Sequence, residues 1–415
     1  MAKAKTPFTV HMQPGGLTDA KGFLCSSIAS DIRGVGSDCL DLGMVYSALP
    51  CSAGAVFTQN KIVAAPVRLC QERLKSQNAF HGIVFNSGNA NACTGPQGEV
   101  DALAMAKTSE YLTEAPEGSF FVASTGRIGR TLPIKRILKA LKPEMQHLGS
   151  TKVIGLGAAD CILTSDTKRK VVTVKVKTSQ GSYTISGIAK GAGMIQPNMA
   201  TMLAFITTDA KVPARALQRL VQEGVGPSFN SITVDGDTST NDAVIALANG
   251  ASGVKIGPKE KADFVAGFNY VCEVLARLIV GDGEKITKVV ELRISGARSA
   301  ADADKVARTI GNSLLVKTSW FGQDPNWGRL FDAAGYAGVD LVEAKLNLAY
   351  RVSDSEKAVP VFAKGLPVSK NELKWKKVVR EKEFIIEMDM GLGRGSARLF
   401  ASDLTDGYVN FNRSE

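Results

Sequence analysis

Histidine is nearly missing from this chain: His11, His81 and His147 are its three. None stands near another His or a Cys at metal-ligand spacing, which argues against a zinc site, and their scarcity argues against a Ser-His-Asp triad. Cysteine pairs are missing too. The seven cysteines (Cys25, Cys39, Cys51, Cys70, Cys93, Cys161, Cys272) are scattered without a Cys-x-x-Cys, as suits reduced thiols in the cytosol rather than a disulfide framework. No apolar run approaches the ~20 residues that cross a bilayer, and no charged-then-apolar leader opens the sequence. We therefore expect a cytoplasmic protein with no membrane partner. The formal charge of +10 comes without an arm or stripe of basic residues interleaved with aromatics, so nucleic acid is a remote partner. A mild positive field suits an anionic metabolite better. The densest basic stretch, 370–382, holds Glu372 and Glu381 among its cations and reads as a solvated face.

What the chain does carry is length and punctuation. Its 415 residues, 44% hydrophobic and 22% charged, suffice for large cores in more than one lobe of a soluble globular protein. The stretch from Lys190 to Ala210 organises the rest. Gly191, Gly193 and Pro197 break the chain just before a continuous apolar run, Met202 to Ile206. Gly and Pro permit unusual backbone angles and stop helices, so this loop can hold a peptide bond in a strained shape. The run behind it has the pattern of a strand buried on both faces. Thr201 stands at the junction. On these residues alone two readings stay open: a β-branched residue that starts a core strand, or a hydroxyl nucleophile held rigid at one end of it.

Short apolar runs separated by Gly, Ser, Asp and Asn over 7–70 predict strands and turns. Residues 82–86 form another short strand that runs into a small-polar loop, 87–95. That loop could present N–H groups to an anion or be a plain turn capped by Thr94. Amphipathic spacing predicts helices over 98–112, 133–148, 212–223 and 261–280, with a further helix over 301–312. Strands are predicted over 120–123 and 289–295, and the alternating runs 171–177 and 183–188 form a hairpin about Ser179-Gln180-Gly181. That hairpin delivers the chain to Lys190. Thr125 and Gly126, in a turn that closes at Gly129, make a plausible donor pair for an oxyanion. Asp235 and Asp237 flank Gly236 and suggest Mg²⁺ at first sight, yet such a pair in a turn more often holds backbone N–H groups. Trp327, between Asn326 and Gly328, is expected to fix a loop, and the remainder of the chain is strand-rich. Strands alternating with helices give a mixed α/β class.

The run KGAGMIQPNMATML at 190–203 resembles the self-cleavage signature of the ornithine acetyltransferase family, also called glutamate N-acetyltransferases. The likeness recurs along nearly the whole chain: NSGNANACTG at 86–95, STGRIG at 124–129, ADCILTSDT at 159–167, NSITVDGDTSTND at 230–242, GDGE at 281–284, VKTSWFGQDPNWGR at 316–329, MDMGLG at 388–393 and DLTDGYVNFN at 403–412. The resemblance implies that the chain cuts itself between Ala200 and Thr201. It implies a two-lobed αββα sandwich around the cleavage site and an assembly of two copies of each fragment. The α chain, 1–200, would carry the oxyanion hole and part of the substrate site; the β chain, 201–415, would begin with the nucleophile Thr201. Thr125 and Gly126 fall on the oxyanion-hole positions, and Thr164, Lys190, Thr201, Glu284 and Asn412 on the substrate-binding ones. No metal or cofactor is implied, and acetyl-CoA is kept open as a co-substrate. Arg127 stands where the family has an aliphatic residue, and Ser165 replaces a threonine. The family's tail continues to a terminal Ser or Thr, whereas this sequence reads Arg413-Ser414-Glu415, which leaves Ser414 as the position for that last contact.

The implied reaction is ping-pong: Thr201 takes the acetyl group of N-acetylornithine, and glutamate then accepts it. Self-cleavage frees an α-amino group with an ordinary pKa of about 7.7–8.0 beside the Thr201 hydroxyl, so a base is present without histidine. The nearest rival is an aminopeptidase or amidase of the same self-cleaving class, with water as acceptor.

Overall fold

A computed structural model of the chain describes residues 6–144, 147–196 and 202–413. The described residues fall into two compact units. The first gathers those of Met1–Gly191, Pro197–Asn230 and Thr238–Ile279; the second gathers those of Ala192–Gln196, Ser231–Asp237 and Val280–Glu415. Each unit therefore draws on both sides of the 200/201 bond.

Among the described residues, nine strands make the first unit's sheet: β1 Phe8–Val10, β2 Phe23–Ile28, β3 Leu42–Phe57, β4 Phe80–Asn86, β5 Phe120–Ser124, β6 Lys170–Thr178, β7 Gly181–Lys190, β8 Leu203–Thr208 and, after β9 Ile232–Thr233 of the second unit, β10 Ala243–Ala248. Their order is β1-β6-β7-β8-β10-β3-β4-β5, with β2 on β3. The predicted hairpin is the β6–β7 pair. Next to it β7 runs antiparallel to β8, in a register that sets Lys190 opposite Leu203. β8 lies parallel to β10, and every residue of both strands is buried. That is why they read as continuous apolar runs rather than alternations. Phe205 of β8 meets Phe85 of β4 with ring centroids 5.1 Å apart, which joins the middle of the sheet to the strand that leads into the 87–95 loop.

This unit holds α1 Ala65–Ser76, α2 Gly95–Leu112, α3 Ile134–Glu144, α4 Lys152–Asp160, α5 Ala214–Val225 and α6 Lys261–Val280; α2, α3, α5 and α6 are predicted helices, whereas α1 and α4 carry no clear signal in the sequence, and the predicted helix over 301–312 lies in the second unit. Thr94 precedes α2 but does not cap it; its hydroxyl donates instead to Asn91 Oδ1 at 2.8 Å. Among the described residues no helix is long and apolar enough to cross a membrane.

The second unit holds a seven-stranded sheet, β14-β13-β12-β15-β11-β16-β9, with β11 Val289–Ala297, β12 Asn347–Arg351, β13 Val359–Ala363, β14 Leu366–Pro367, β15 Glu383–Asp389 and β16 Gly395–Ser402. α7 Ala300–Asn312, α8 Leu314–Phe321 and α9 Trp327–Gly335 bury Val306, Ile310, Trp320 and Leu330 in the same core as Leu292, Ile294 and Leu399 of the sheet. Two expectations need correction here. Trp327 does not fix a loop: it opens α9, with its ring against Phe331 and Phe362 at 5.6 and 5.5 Å. The basic stretch 370–382 is not solvated throughout, because α10 Glu372–Val378 turns Trp375 and Val378 into the core while its lysines stay outside. The mixed α/β reading in two lobes holds.

One buried ion pair ties α1 to α2. Arg73 Nη1 lies 2.6 Å from Glu110 Oε1, with both side chains almost wholly buried. Removing one partner leaves the other charge uncompensated, which typically costs about 3–5 kcal/mol. Glu110→Ala should therefore lower the unfolding free energy by about that amount, read as a shifted midpoint in urea. A midpoint equal to the parent's would show that the pair contributes nothing.

Candidate active site

In the first unit, β5 ends at Ser124 and the chain turns at once through Thr125 and Gly126. Several asparagines hold this turn. Asn89 Nδ2 donates to the carbonyls of Arg130 and Thr131 at 3.2 and 3.1 Å, and Asn241 Nδ2 donates to those of Ala90 and Ser124 at 2.5 and 2.9 Å. Ser124 Oγ donates to Asn86 Oδ1 at 2.7 Å. Gly126 sits at φ 131, where L side chains strain, and a Cβ there would lie 2.4 Å from the carbonyl carbon of Gly88; no other residue fits. Its N–H has no acceptor among the described residues, so the turn leaves one donor exposed beside the Thr125 hydroxyl.

Lys190, at the end of β7, reaches that hydroxyl. Its Nζ donates to Thr125 Oγ1 at 3.2 Å, and both residues are buried. A hydroxyl that accepts from an ammonium keeps its own proton to donate onward, and the positive charge polarises that O–H. Behind Lys190 stands Asp166. Its side chain is fully buried, with Lys170 Nζ at 2.6 Å and Lys190 Nζ at 4.0 Å. It also accepts from the N–H of Gly191 at 2.7 Å and from that of Thr164 at 3.1 Å. Burial alone would push this carboxyl up; the ammonium of Lys190, then that of Lys170, with the Gly191 N–H, outweigh it and hold it down to about 2. Asp166 thus brings Thr164, Lys190 and the first residue of the loop to one carboxylate. Thr164 is partly buried, and its hydroxyl has no partner among the described residues.

In the second unit, residues 192–196 dock along the 233–237 turn. Val234 N–H donates to Ile195 O at 2.7 Å, Gln196 N–H to Asp237 O at 2.8 Å, and Glu284 N–H to Ala192 O at 3.0 Å. The carboxylate of Glu284 lies so close to Gly193 that a Cβ there would stand 2.4 Å from Oε1. Met194 sits at φ 58, a left-handed conformation uncommon for residues with side chains, which persists where its surroundings over-determine it. Asp235 is part of those surroundings: it accepts the N–H groups of Met194 at 2.6 Å and Ile195 at 2.8 Å. The expectation that this Asp pair holds backbone N–H groups is met at Asp235. Among the described residues no group of three or more His, Cys, Asp or Glu side chains could hold a metal ion. Asn412 ends α11 Asp406–Phe411, and its amide donates to Tyr408 O at 2.8 Å. The helix is fastened to the Glu284 loop by Thr405 Oγ1, which donates to Lys285 O at 2.8 Å. Lys317 is buried beneath these loops, its Nζ on the carbonyl of Ser402, and burial pushes its amine down to about 8 against the charges of Asp403 and Asp235.

The structure thus brings Thr125, Gly126, Thr164 and Lys190 together in one unit and places Glu284 and Asn412 in the other. Ala200, Thr201 and Ser414 lie outside the described residues. Asp166, Asn89 and Asn241 were not singled out from the sequence, and Asp235 was read there only as a holder of backbone N–H groups. The one local signal for Asp166 is Lys170 four positions on.

A family model described as the ArgJ family matches residues 24–414. The arginine biosynthesis bifunctional protein ArgJ of Geobacter sulfurreducens is 44% identical over 400 residues, 95% of this chain and 98% of that one. Its namesake from Caldanaerobacter subterraneus subsp. tengcongensis is 42% identical over 397 residues, 95% of this chain and 96% of that one. Among solved structures, ornithine acetyltransferase complexed with ornithine from Mycobacterium tuberculosis is 33% identical with a TM-score of 0.41, covering 47% of this chain and 99% of that chain.

Asp166 generates a pH signature. A carboxyl held below its ordinary value in the folded state contributes stability that is complete above about 3.8 and is lost as pH falls through about 2. Asp166→Asn should lower the urea midpoint at pH 7 and flatten the fall in stability between pH 4 and pH 2. An unchanged acid limb would show that the carboxylate is not held by its two ammonium neighbours.

Proposed function

The chain belongs to the ArgJ family, and from that premise we propose that it moves the acetyl group of N2-acetyl-L-ornithine to L-glutamate through an ester on Thr201, after cutting itself between Ala200 and Thr201. The observation that carries this reading is the Lys190 ammonium on the Thr125 hydroxyl, beside a Gly126 N–H with no acceptor among the described residues. Two donors side by side in a turn that admits no side chain are what a developing oxyanion requires.

In the cutting step, Thr201 Oγ attacks the Ala200 carbonyl carbon, the peptide C–N bond breaks, and the nitrogen leaves as the α-amine of Thr201. Water then hydrolyses the ester, leaving a carboxylate on Ala200 and a free hydroxyl on Thr201. In the transfer, that amine takes the hydroxyl proton as Oγ attacks the acetyl carbon. The tetrahedral oxyanion rests on Thr125 and Gly126, and ornithine leaves with the proton on its α-amine. The amine of glutamate repeats the attack on the acetyl ester, regenerates the hydroxyl and departs as N-acetylglutamate. Lys190 is a point charge for the α-carboxylate that both amino acids share; Thr164, Glu284 and Asn412 complete the contacts, with Ser414 as a last one. The relatives are named bifunctional. The second activity we assign is acetyl transfer from acetyl-CoA to glutamate through the same ester. The working assembly would hold two copies of each fragment, in the cytoplasm, without metal or cofactor.

Denaturing electrophoresis should resolve the purified protein into fragments 1–200 and 201–415, while Thr201→Ala should stay one chain. Because β7 and β8 pair across the cut, the two fragments should elute together from a native sizing column. A wild-type chain that remains whole while transferring acetyl groups would end the proposal. Enzyme quenched in mid-turnover should carry its acetyl label on Thr201, and acetyl-CoA as sole donor should support glutamate acetylation. Thr125→Val, which removes the hydroxyl donor, should cut kcat by about 10²–10³-fold, the range for losing one oxyanion donor; a variant with parental kcat would remove Thr125 from that role.

A further inference from the structure

Asp235 stands at the meeting point of three segments of the second unit. Its Oδ2 accepts the Met194 N–H at 2.6 Å and its Oδ1 that of Ile195 at 2.8 Å. Oδ1 also accepts the N–H of Asp237 at 3.2 Å, which closes the turn on which the carboxylate sits. The hydroxyl of Tyr408, from α11, donates to Oδ2 at 3.3 Å. Burial pushes this carboxyl up and the backbone N–H groups oppose it. Such a group is retained where its geometry is used, since an unneeded buried carboxylate only costs desolvation.

Its geometry has an evident use. Met194 adopts φ 58, and with the backbone turned in this way two successive N–H groups point to the same carboxylate, an arrangement that binds anions elsewhere. Here the anion belongs to the protein and the two N–H groups belong to the segment that leads towards residue 200. Ile195, fully buried, then pairs with Val234 through its carbonyl, so rotation at 194 is fixed on both sides.

We propose that Asp235 is a positioning residue for self-cleavage: by seating the Met194 and Ile195 amides it sets the direction in which the chain approaches the scissile bond, and Tyr408 holds the carboxylate in the orientation that does this. The inference rests on the cleavage reading above and adds to it a residue to which that reading gives neither a nucleophilic nor a substrate-binding role. Its role ends when the bond is cut, which separates it from a residue needed for the fold or for turnover.

The test follows cleavage in time. Full-length chains of the parent, Asp235→Asn and Tyr408→Phe are produced by rapid cell-free synthesis, and intact and cut species are followed by denaturing electrophoresis. Circular dichroism and thermal midpoint are taken on each, with kcat and KM per mole of cut chain. Asp235→Asn offers an NH₂ group to amides that need an acceptor, and should slow cleavage at least tenfold while its cut fraction turns over with parental kcat and KM. Tyr408→Phe, which leaves the carboxylate and both amides, should slow cleavage by a few-fold. A folded Asp235→Asn that cuts at the parental rate overturns the proposal, as does a loss of kcat in proportion to the loss of cleavage. Should Asp235→Asn fail to fold, Tyr408→Phe decides: slowed cutting with parental turnover supports the role, and parental cutting refutes it. A parent chain that never cuts sinks the cleavage reading itself, with no variant needed.

Discussion

The antiparallel pairing of β7 with β8 is the constraint on which the rest depends. Lys190 and Leu203 stand opposite each other in register, so everything from Gly191 to Met202 is a closed excursion from one edge of a strand pair to the other. Shifting that register by one residue would turn every buried side chain of β8 to the opposite face. Because all of β8 is buried, parallel to β10 on its far side, the sheet cannot absorb such a slip. The two ends of the excursion are therefore fixed by the same hydrogen bonds that build the core.

Electrostatics extends the constraint. Asp166 takes one ammonium from each strand of the β6–β7 hairpin, Lys170 and Lys190, together with the first amide beyond β7. Buried charges of opposite sign are costly apart and rigid together, so the carboxylate fixes Lys190 where its ammonium meets Thr125. Asp235 does the corresponding work on the stretch 194–195 in the other unit. In both places an acidic side chain serves as the acceptor for main-chain N–H groups that no helix or strand satisfies.

Much of this was legible beforehand, for physical reasons. Fully buried parallel strands write themselves as unbroken apolar runs, and so β8 stood out; the β6–β7 hairpin alternated because one of its faces meets water at Lys175 and Lys177. Gly191 and the Thr125–Gly126 turn were visible because backbone conformation restricts residue type there, with Gly191 at φ 153 and Gly126 at φ 131. Other features were hidden. α4 contains Gly155 and Gly157, which weaken a helical pattern; the space they leave is filled by Gly15 and Ser27 from elsewhere in the chain. Trp327 looked like a loop residue because Asn and Gly flank it, yet its ring is drawn into the core by Phe331 and Phe362, and packing overrides local propensity. Asp166 was invisible as a hub because its main partners, Lys190 and Gly191, are adjacent only through the sheet. Asp235 was read correctly as a holder of amides, but which amides it holds is tertiary information.

The closed excursion also bears on how such a molecule is made and lost. While the chain is continuous, β7 and β8 find each other at the small entropic expense of closing a short loop. Were the link severed as proposed, the same pairing would have to be regained by an encounter between separate molecules, and it would become dependent on their dilution. A protein cut after folding would thus stay in its native arrangement by the slowness of its unfolding rather than by ease of return, and the proposed cut would make its assembly a one-way history.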